Sequence, residues 1–160
     1  EGLFAAQTQG FDSIKINTVV ERGVNDDEII SLLEFSRSHG FDIRFIEYMD
    51  VGTLNGWNLE QVVTAREILK TISSTMPLEP VKANYPGEVA KRYVYADGGG
   101  EIGIIASVSQ PFCGDCTRAR LSTGGKLFTC LFAGKGTDLR RAMRDGAGDD
   151  DLRDLMTIQF

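Results

Sequence analysis

The sequence predicts an α/β fold over the front of the chain followed by an α+β region, and three observations carry that prediction. Apolar residues in the first 50 positions switch between a helical period and a two-residue period across short links, the rhythm of a parallel sheet or barrel. From about residue 60 the rhythm breaks: three of the four prolines, at 77, 80 and 86, and three consecutive glycines at 98–100 cut the chain into short pieces. All three cysteines, Cys113, Cys116 and Cys130, then fall in one stretch, PFCGDCTRARLSTGGKLFTC. These shifts divide the chain into residues 1–60 and 61–160.

EGLFAAQTQGF reads as the closing turns of a helix, with Leu3 and Phe4 apolar and Gly10 as the stop. It lacks an N-cap, and DLRDLMTIQF ends on apolar residues, so both ends read as cuts in something longer. SIKINTVV alternates Ile14, Ile16 and Thr18 with Lys15 and Asn17 and predicts a strand. ERGVND is a loop in which Asn25 or Asp26 is placed to cap the helix DDEIISLLEFSRSHG. That helix carries Ile29, Leu32, Leu33 and Phe35 at helical spacing and stops at Gly40. His39, in its polar tail, suits a solvated residue favoured by the helix dipole. FDIRFIEYM is a second strand, with Ile43, Phe45 and Tyr48 interleaved with Arg44, Ile46 and Glu47. Side chains that work on such sheets sit at the carboxyl ends of strands and in the loops beyond. The glycine-rich loop DVGTLNGWN is therefore a candidate to line a site, with Trp57 either an anchor or a contact.

A helix over 65–73, or from Leu59, leads into the second part. There KRYVYADGGGEIGIIA predicts a hairpin, with the triple glycine as its turn. A short strand over 118–122, a Gly124-Gly125 turn and a partner strand KLFTCLF follow the cysteine pair. Helices are predicted over 137–144 and 150–157, the second with the acidic run at 149–151 where the dipole favours it.

A C-x2-C pair with a third cysteine and no fourth is a metal-site pattern lacking one protein ligand. Structural zinc closes with four ligands, whereas a catalytic or substrate-binding metal or iron–sulfur site keeps a position open. A redox pair of thioredoxin type fits less well, because Pro111 precedes the motif and a Gly-Asp turn lies within it. A closed zinc site would need His39 or a carboxylate such as Asp115, and three unrelated thiols are the remaining reading. Arg118 and Arg120 follow directly; on a strand, residues two apart share a face, and guanidinium forks match phosphate or carboxylate. Charge compensation of a thiolate site is the plainer role for them, and an anion site is the better reading. Lys15 and Arg44 are charged residues within apolar strands, where an outward-pointing side chain is the common case.

With 42% hydrophobic residues over 160 positions, the chain can bury one core or one core and an appendage. No apolar run approaches the ~20 residues that cross a bilayer, which points to a soluble protein. A net charge of −6 argues against non-specific nucleic-acid binding, yet residues 112–141 hold six basic residues against two acids. A local positive pocket on an acidic protein suits a small anion. Reduced thiols without a targeting segment point to the cytoplasm.

FCGDCTRARLSTGGKLFTCLFA, together with FDIRFIEYMDVG…NGW and SIKINTVVERGVNDDEI, closely resembles the C-terminal half of the GTP 3′,8-cyclases of molybdenum cofactor biosynthesis, a radical S-adenosylmethionine family. The likeness covers nearly all 160 residues, and the C-x2-C-x-R-x-R…C signature is specific to that family among radical enzymes. It implies that residues 1–60 are the last part of an incomplete (β/α) barrel and 61–160 a C-terminal iron–sulfur region. In the family, a first 4Fe–4S cluster on C-x3-C-x2-C cleaves S-adenosylmethionine to a 5′-deoxyadenosyl radical. The radical takes a hydrogen from the ribose of GTP, and the ribose carbon attacks purine C8 to give 3′,8-cyclo-7,8-dihydro-GTP. A second 4Fe–4S cluster on three cysteines holds the purine at its open iron.

By position, the resemblance implies that Cys113, Cys116 and Cys130 hold the second cluster, and that Arg118, Ala119 and Arg120 bind GTP. It implies a triphosphate contact for Lys15, a substrate contact for Arg44 and an S-adenosylmethionine contact for Met49. The implied partners are GTP and the downstream cyclic pyranopterin monophosphate synthase, with no nucleic acid and no membrane. The bare edge of a partial barrel invites a homodimer. The chain departs from the family in having no C-x3-C-x2-C, no earlier barrel strands and no Gly-Gly tail. The expectation is a substrate-binding part that is inactive alone. The alternative is a free-standing zinc-binding or regulatory module built on the same three cysteines.

Overall fold

The computed structural model describes residues 1–50 and 56–158. The chain forms two compact units, Glu1–Asp115 and Cys116–Phe160. Among the described residues, no helix is long and apolar enough to cross a membrane.

The first unit opens with α1 (Gly2–Thr8), followed by β1 (Lys15–Val20), α2 (Ile29–Ser38), β2 (Asp42–Glu47) and α3 (Ala65–Ser73). Three strands complete it: β3 (Leu78–Val81), β4 (Lys91–Tyr95) and β5 (Glu101–Ile105). They make one mixed sheet in the order β1-β2-β5-β4-β3, in which β1, β2 and β5 run parallel and the β3–β4–β5 pairings are antiparallel. The α/β class expected from the front of the chain is present.

Register follows the apolar alternation. Ile43 lies opposite Ile102 and Phe45 opposite Ile104, and all four are buried on the face that α2 and α3 cover. From α2 come Ile29 and Leu33, and from α3 Ala65, Ile68 and Ile72. Burial of each large aliphatic or aromatic side chain contributes about 1.5–3 kcal/mol, so this layer holds the unit together. A one-residue slip of β2 would turn Arg44 into it.

The helix ends follow some local sequence signals and override others. Gly40 takes the left-handed φ of +71° that ends α2, as its position suggested. Thr64 and Glu67 form a capping box at the start of α3. Leu59 belongs to a separate turn over Leu59–Gln61, capped by Asn58, so the earlier start considered for that helix does not occur. Asn25 and Asp26 do not cap with their side chains. Asn25 instead accepts from the Glu21 N–H and donates to the Val19 carbonyl, and Asp26 accepts from the Gly23 N–H, so both brace the loop. His39 is half-buried rather than solvated, ringed by Phe4, Phe35 and Phe41. Its Nδ1 lies 2.8 Å from the Phe35 carbonyl oxygen, which can only accept, so that nitrogen carries a proton.

The triple glycine is the hairpin turn between β4 and β5, as expected. Its middle residue also makes room: a Cβ on Gly99 would collide with the guanidinium of Arg37, which pairs with Asp97 and covers the Tyr95 ring.

The second unit holds three short antiparallel strands, β6 (Arg120–Leu121), β7 (Lys126–Phe128) and β8 (Thr137–Asp138), then α4 (Leu139–Arg144) and α5 (Asp149–Thr157). Two expectations are corrected here. The strand expected over 118–122 begins only at Arg120, and Thr137 and Asp138 pair with β7 instead of opening a helix. Asp138 then caps α4 through the Arg141 N–H. The core is thin: Leu127 is the one buried apolar side chain among this unit's described residues, while Leu121, Phe132 and Met143 are exposed.

Candidate functional site

The face of the first unit's sheet opposite the helices carries its charge. Registered residues of parallel strands point the same way, so Lys15 with Asp42, Asn17 with Arg44, and Arg44 with Gly103 share that face. The antiparallel pairs add Arg92 opposite Gly103 and Glu101 opposite Val94. Lys15 Nζ lies 4.0 Å from Asp42 Oδ2 with both side chains well exposed, a contact worth under about 1 kcal/mol and easily given up to a ligand. Arg44 lays its stem across β5 where Gly103 leaves space; a Cβ there would stand 2.9 Å from Arg44 Cγ.

Arg92 is committed elsewhere. Its guanidinium grips both oxygens of Glu101 and bonds the Lys82 carbonyl and Asn84 Oδ1, tying β4 to β5 and to the loop after β3. The hydrogen bonds from Arg92 hold the Glu101 carboxyl below the usual range against burial, helped by the charges of Arg92, Lys15 and Arg44. Lys15 and Arg44 therefore both act on the Glu101 carboxylate, and each can meet an anion on this face, Lys15 by giving up its loose contact with Asp42. Sequence reading singled out both but gave no sign of Arg92 and Glu101, whose pairing depends on the hairpin register.

Met49 lies half-buried just past the carboxyl end of β2. Lys15 starts β1, and its partner Asp42 lies five residue steps before Glu47, about 17 Å along the sheet. Lys15 and Arg44 thus share one face of the sheet, and Met49 follows the end of β2 away from Asp42, the partner of Lys15. In the loop named as a site-lining candidate, residues 51–55 lie outside the described residues. Its Trp57 is an anchor, donating from Nε1 to the Tyr48 carbonyl at 2.9 Å.

A fully buried carboxylate, Glu47, closes β2. The interleaving expected in FDIRFIEYM sets Glu47 with Arg44 and Ile46; the structure places it in line with Ile43 and Phe45, on the core face. Strict counting by twos would have found it. Burial pushes its pKa up, but the Ser109 hydroxyl and the backbone N–H groups of Ser109, Ala65 and Val108 outweigh that and hold it below the usual carboxylate range.

The thiols occupy turns. Cys113 opens a single turn over Cys113–Asp115 at the end of the first unit and is exposed. The side chain of Asp115, considered as a ligand, lies outside those described. In the second unit Cys116 is half-buried, and Cys130 is exposed, past the end of β7. All three are free. Arg118 Nη2 donates to Cys116 Sγ at 3.3 Å. The Arg118 backbone N–H and then its guanidinium lower the Cys116 pKa against burial, with the charges of Arg118 and Arg120 adding to the effect. The thiolate is the form that binds metals. Arg120 and Cys130 line one shallow cavity of about 220 Å³ with Leu121, Ser122, Phe128 and Leu131. Ala119 is exposed between the arginines. The expectation that both guanidiniums leave one strand face is corrected: only Arg120 is in β6, and Arg118 turns to the sulfur.

The donor set suits a thiolate-held metal or cluster. Among the described residues, no three His, Cys, Asp or Glu side chains are gathered closely enough to hold an ion. His39, the other zinc donor considered, is engaged within its aromatic ring of neighbours.

Residues 41–160 match the family described as Molybdenum Cofactor Synthesis C. The chain is 56% identical over 143 residues to a GTP 3′,8-cyclase of Acidothermus cellulolyticus, covering 89% of this chain and 40% of that protein. It is 53% identical to one of Xanthomonas campestris, covering 91% and 43%, and 45% identical to one of Synechococcus, covering 98% and 46%. The chain thus spans under half the length of these curated relatives.

Proposed function

The chain belongs to the Molybdenum Cofactor Synthesis C family, and from that premise we propose that it is the substrate-binding C-terminal part of a GTP 3′,8-cyclase. In this reading Cys113, Cys116 and Cys130 hold a 4Fe–4S cluster, which when bound supplies an open iron position for the purine of GTP. Arg118 keeps Cys116 in the ligating thiolate form, and Arg120, beside Cys130, offers its fork to the nucleotide together with the Ala119 backbone. Lys15 and Arg44 take the negative charge of the triphosphate on the open sheet face, and Met49 meets S-adenosylmethionine at the strand end.

The sheet is then the last part of an incomplete barrel whose earlier strands carry the radical-generating cluster. The whole enzyme converts GTP to 3′,8-cyclo-7,8-dihydro-GTP with a 5′-deoxyadenosyl radical from S-adenosylmethionine and hands the product to cyclic pyranopterin monophosphate synthase. Such thiol-dependent chemistry belongs in a reducing cytoplasm. This chain alone is inactive, because all three of its cysteines are taken by the substrate site.

One observation carries the reading: a thiol held toward its thiolate by one arginine, with a second arginine and a second thiol lining a cavity close by in sequence. The thin core of the second unit supports it, since very small domains commonly depend on a metal for their stability.

Anaerobic reconstitution with iron and sulfide tests it. The expected product is a brown protein whose sulfur-to-iron charge-transfer absorption changes on adding GTP but not on adding pyrimidine triphosphates. A colourless protein with one tightly held zinc would make it a zinc module instead. With S-adenosylmethionine and reductant, the loaded chain should release no 5′-deoxyadenosine; any release contradicts the assignment of the radical chemistry to the rest of the enzyme.

A further inference from the structure

Glu47 is a buried charged group that the proposed chemistry leaves unused. Its oxygens collect donors from two separate segments. Oε1 accepts from the N–H of Ala65, the first residue of α3, at 2.6 Å and from the Ser109 hydroxyl. Oε2 accepts from the N–H groups of Val108 and Ser109, both at 2.7 Å. The strands β2 and β5 are parallel neighbours with Ile46 opposite Ile105, so the chain leaving β5 emerges beside Glu47. Only Gln110, Pro111 and Phe112 separate Ser109 from Cys113, and the proline stiffens that link.

Burying a carboxylate is costly unless its lone pairs are used, and an apolar side chain would fill a core position more cheaply. What the carboxylate adds is a two-point grip on the Val108–Ser109 backbone together with a tie to α3. We propose that Glu47 is a positioning residue for the cysteine site: it fixes the start of the segment that carries Cys113 and so presents that thiol in one place. This rests on the reading that the three thiols jointly hold a group.

Cobalt(II) titration of the reduced full chain under anaerobic conditions tests the proposal, read by the thiolate-to-cobalt charge-transfer band. The unaltered chain should bind cobalt and Cys113→Ala should lose the band; failure of either overturns the ligand reading itself. Glu47→Gln should bind about tenfold more weakly, the scale of loss when a group that orients a metal ligand is removed. Glu67→Gln, which breaks the capping box at the same end of α3, controls for simple destabilisation and should stay within about twofold. If Glu47→Gln binds cobalt like the unaltered chain while its Val108 and Ser109 amides exchange faster, Glu47 braces the fold only and the proposal fails. Should Glu47→Gln not fold, Ser109→Ala removes one contact alone; a roughly threefold loss is expected, and an unchanged affinity overturns the proposal.

Discussion

Replacing Glu47 by glutamine keeps the shape of the side chain and exchanges one acceptor oxygen for an NH2 group, so its cost can be worked from the contacts. If the NH2 replaced Oε2, the N–H groups of both Val108 and Ser109 would lose their acceptor. If it replaces Oε1, only the Ala65 N–H is orphaned, because the Ser109 hydroxyl can rotate to accept. The second arrangement therefore wins. It leaves one buried donor unsatisfied, at about 1–3 kcal/mol, and reduces two charge-assisted hydrogen bonds to neutral ones, at about 1 kcal/mol each, for a total of about 3–5 kcal/mol. Urea unfolding followed through Trp57, the single tryptophan, reports on this unit, since its indole bonds the Tyr48 carbonyl next to Glu47. The effect must also depend on pH. The folded pKa of Glu47 lies below its unfolded value, so its stabilisation is present above about pH 4.3 and fades as pH falls further. The gap between the unaltered chain and Glu47→Gln should be full at pH 7 and narrow below about pH 4. A gap under about 0.5 kcal/mol at pH 7, or one that stays constant into acid, would refute the reasoning.

Glu67, pulled down to about 2 by the Thr64 hydroxyl and N–H and then by Arg22, should lend stability above about pH 4.3 that is lost as pH falls toward 2. Because that carboxylate is nearly half exposed, Glu67→Gln should lower stability by only about 1 kcal/mol at pH 6, read from the urea midpoint, and by less at pH 3. Two glycine substitutions should differ sharply in melting temperature. A Cβ at Gly136 would stand 2.7 Å from the Leu127 backbone oxygen, so Gly136→Ala should cost about 1–3 kcal/mol or prevent β7–β8 pairing. Gly99→Ala only pushes aside the end of Arg37 and should cost under about 1 kcal/mol. Arg118→Ala should move the pH profile of Cys116 alkylation to higher pH, though only in part, because the backbone N–H that contributes most survives the change. A profile that stays in place would mean that the 3.3 Å contact does not act on the thiol.

How much was legible depended on where the information lay. The strands β1 and β2, the helix α2 with its Gly40 stop and the glycine turn of the hairpin follow from local periodicity and backbone preference, and all were readable. Readings failed where a distant partner decided the outcome. Glu47 is buried because Ala65, Val108 and Ser109 bring donors to it. Thr137 and Asp138 form a strand because β7 lies beside them, and His39 is taken up by rings from α1, α2 and the residue just before β2.

By itself the sequence determined the α/β class, the family resemblance and the three thiols with their two arginines, because alternation, motif spacing and residue chemistry are properties of neighbours along the chain. Tertiary structure alone decided that Lys15 and Arg44 share one face of the sheet, that Arg118 turns to Cys116 while Arg120 sits by Cys130, and that a buried carboxylate grips the approach to Cys113. The physical reason is register. Which polar groups meet depends on how strands far apart in sequence align, and the hydrophobic layer beneath the sheet sets that alignment.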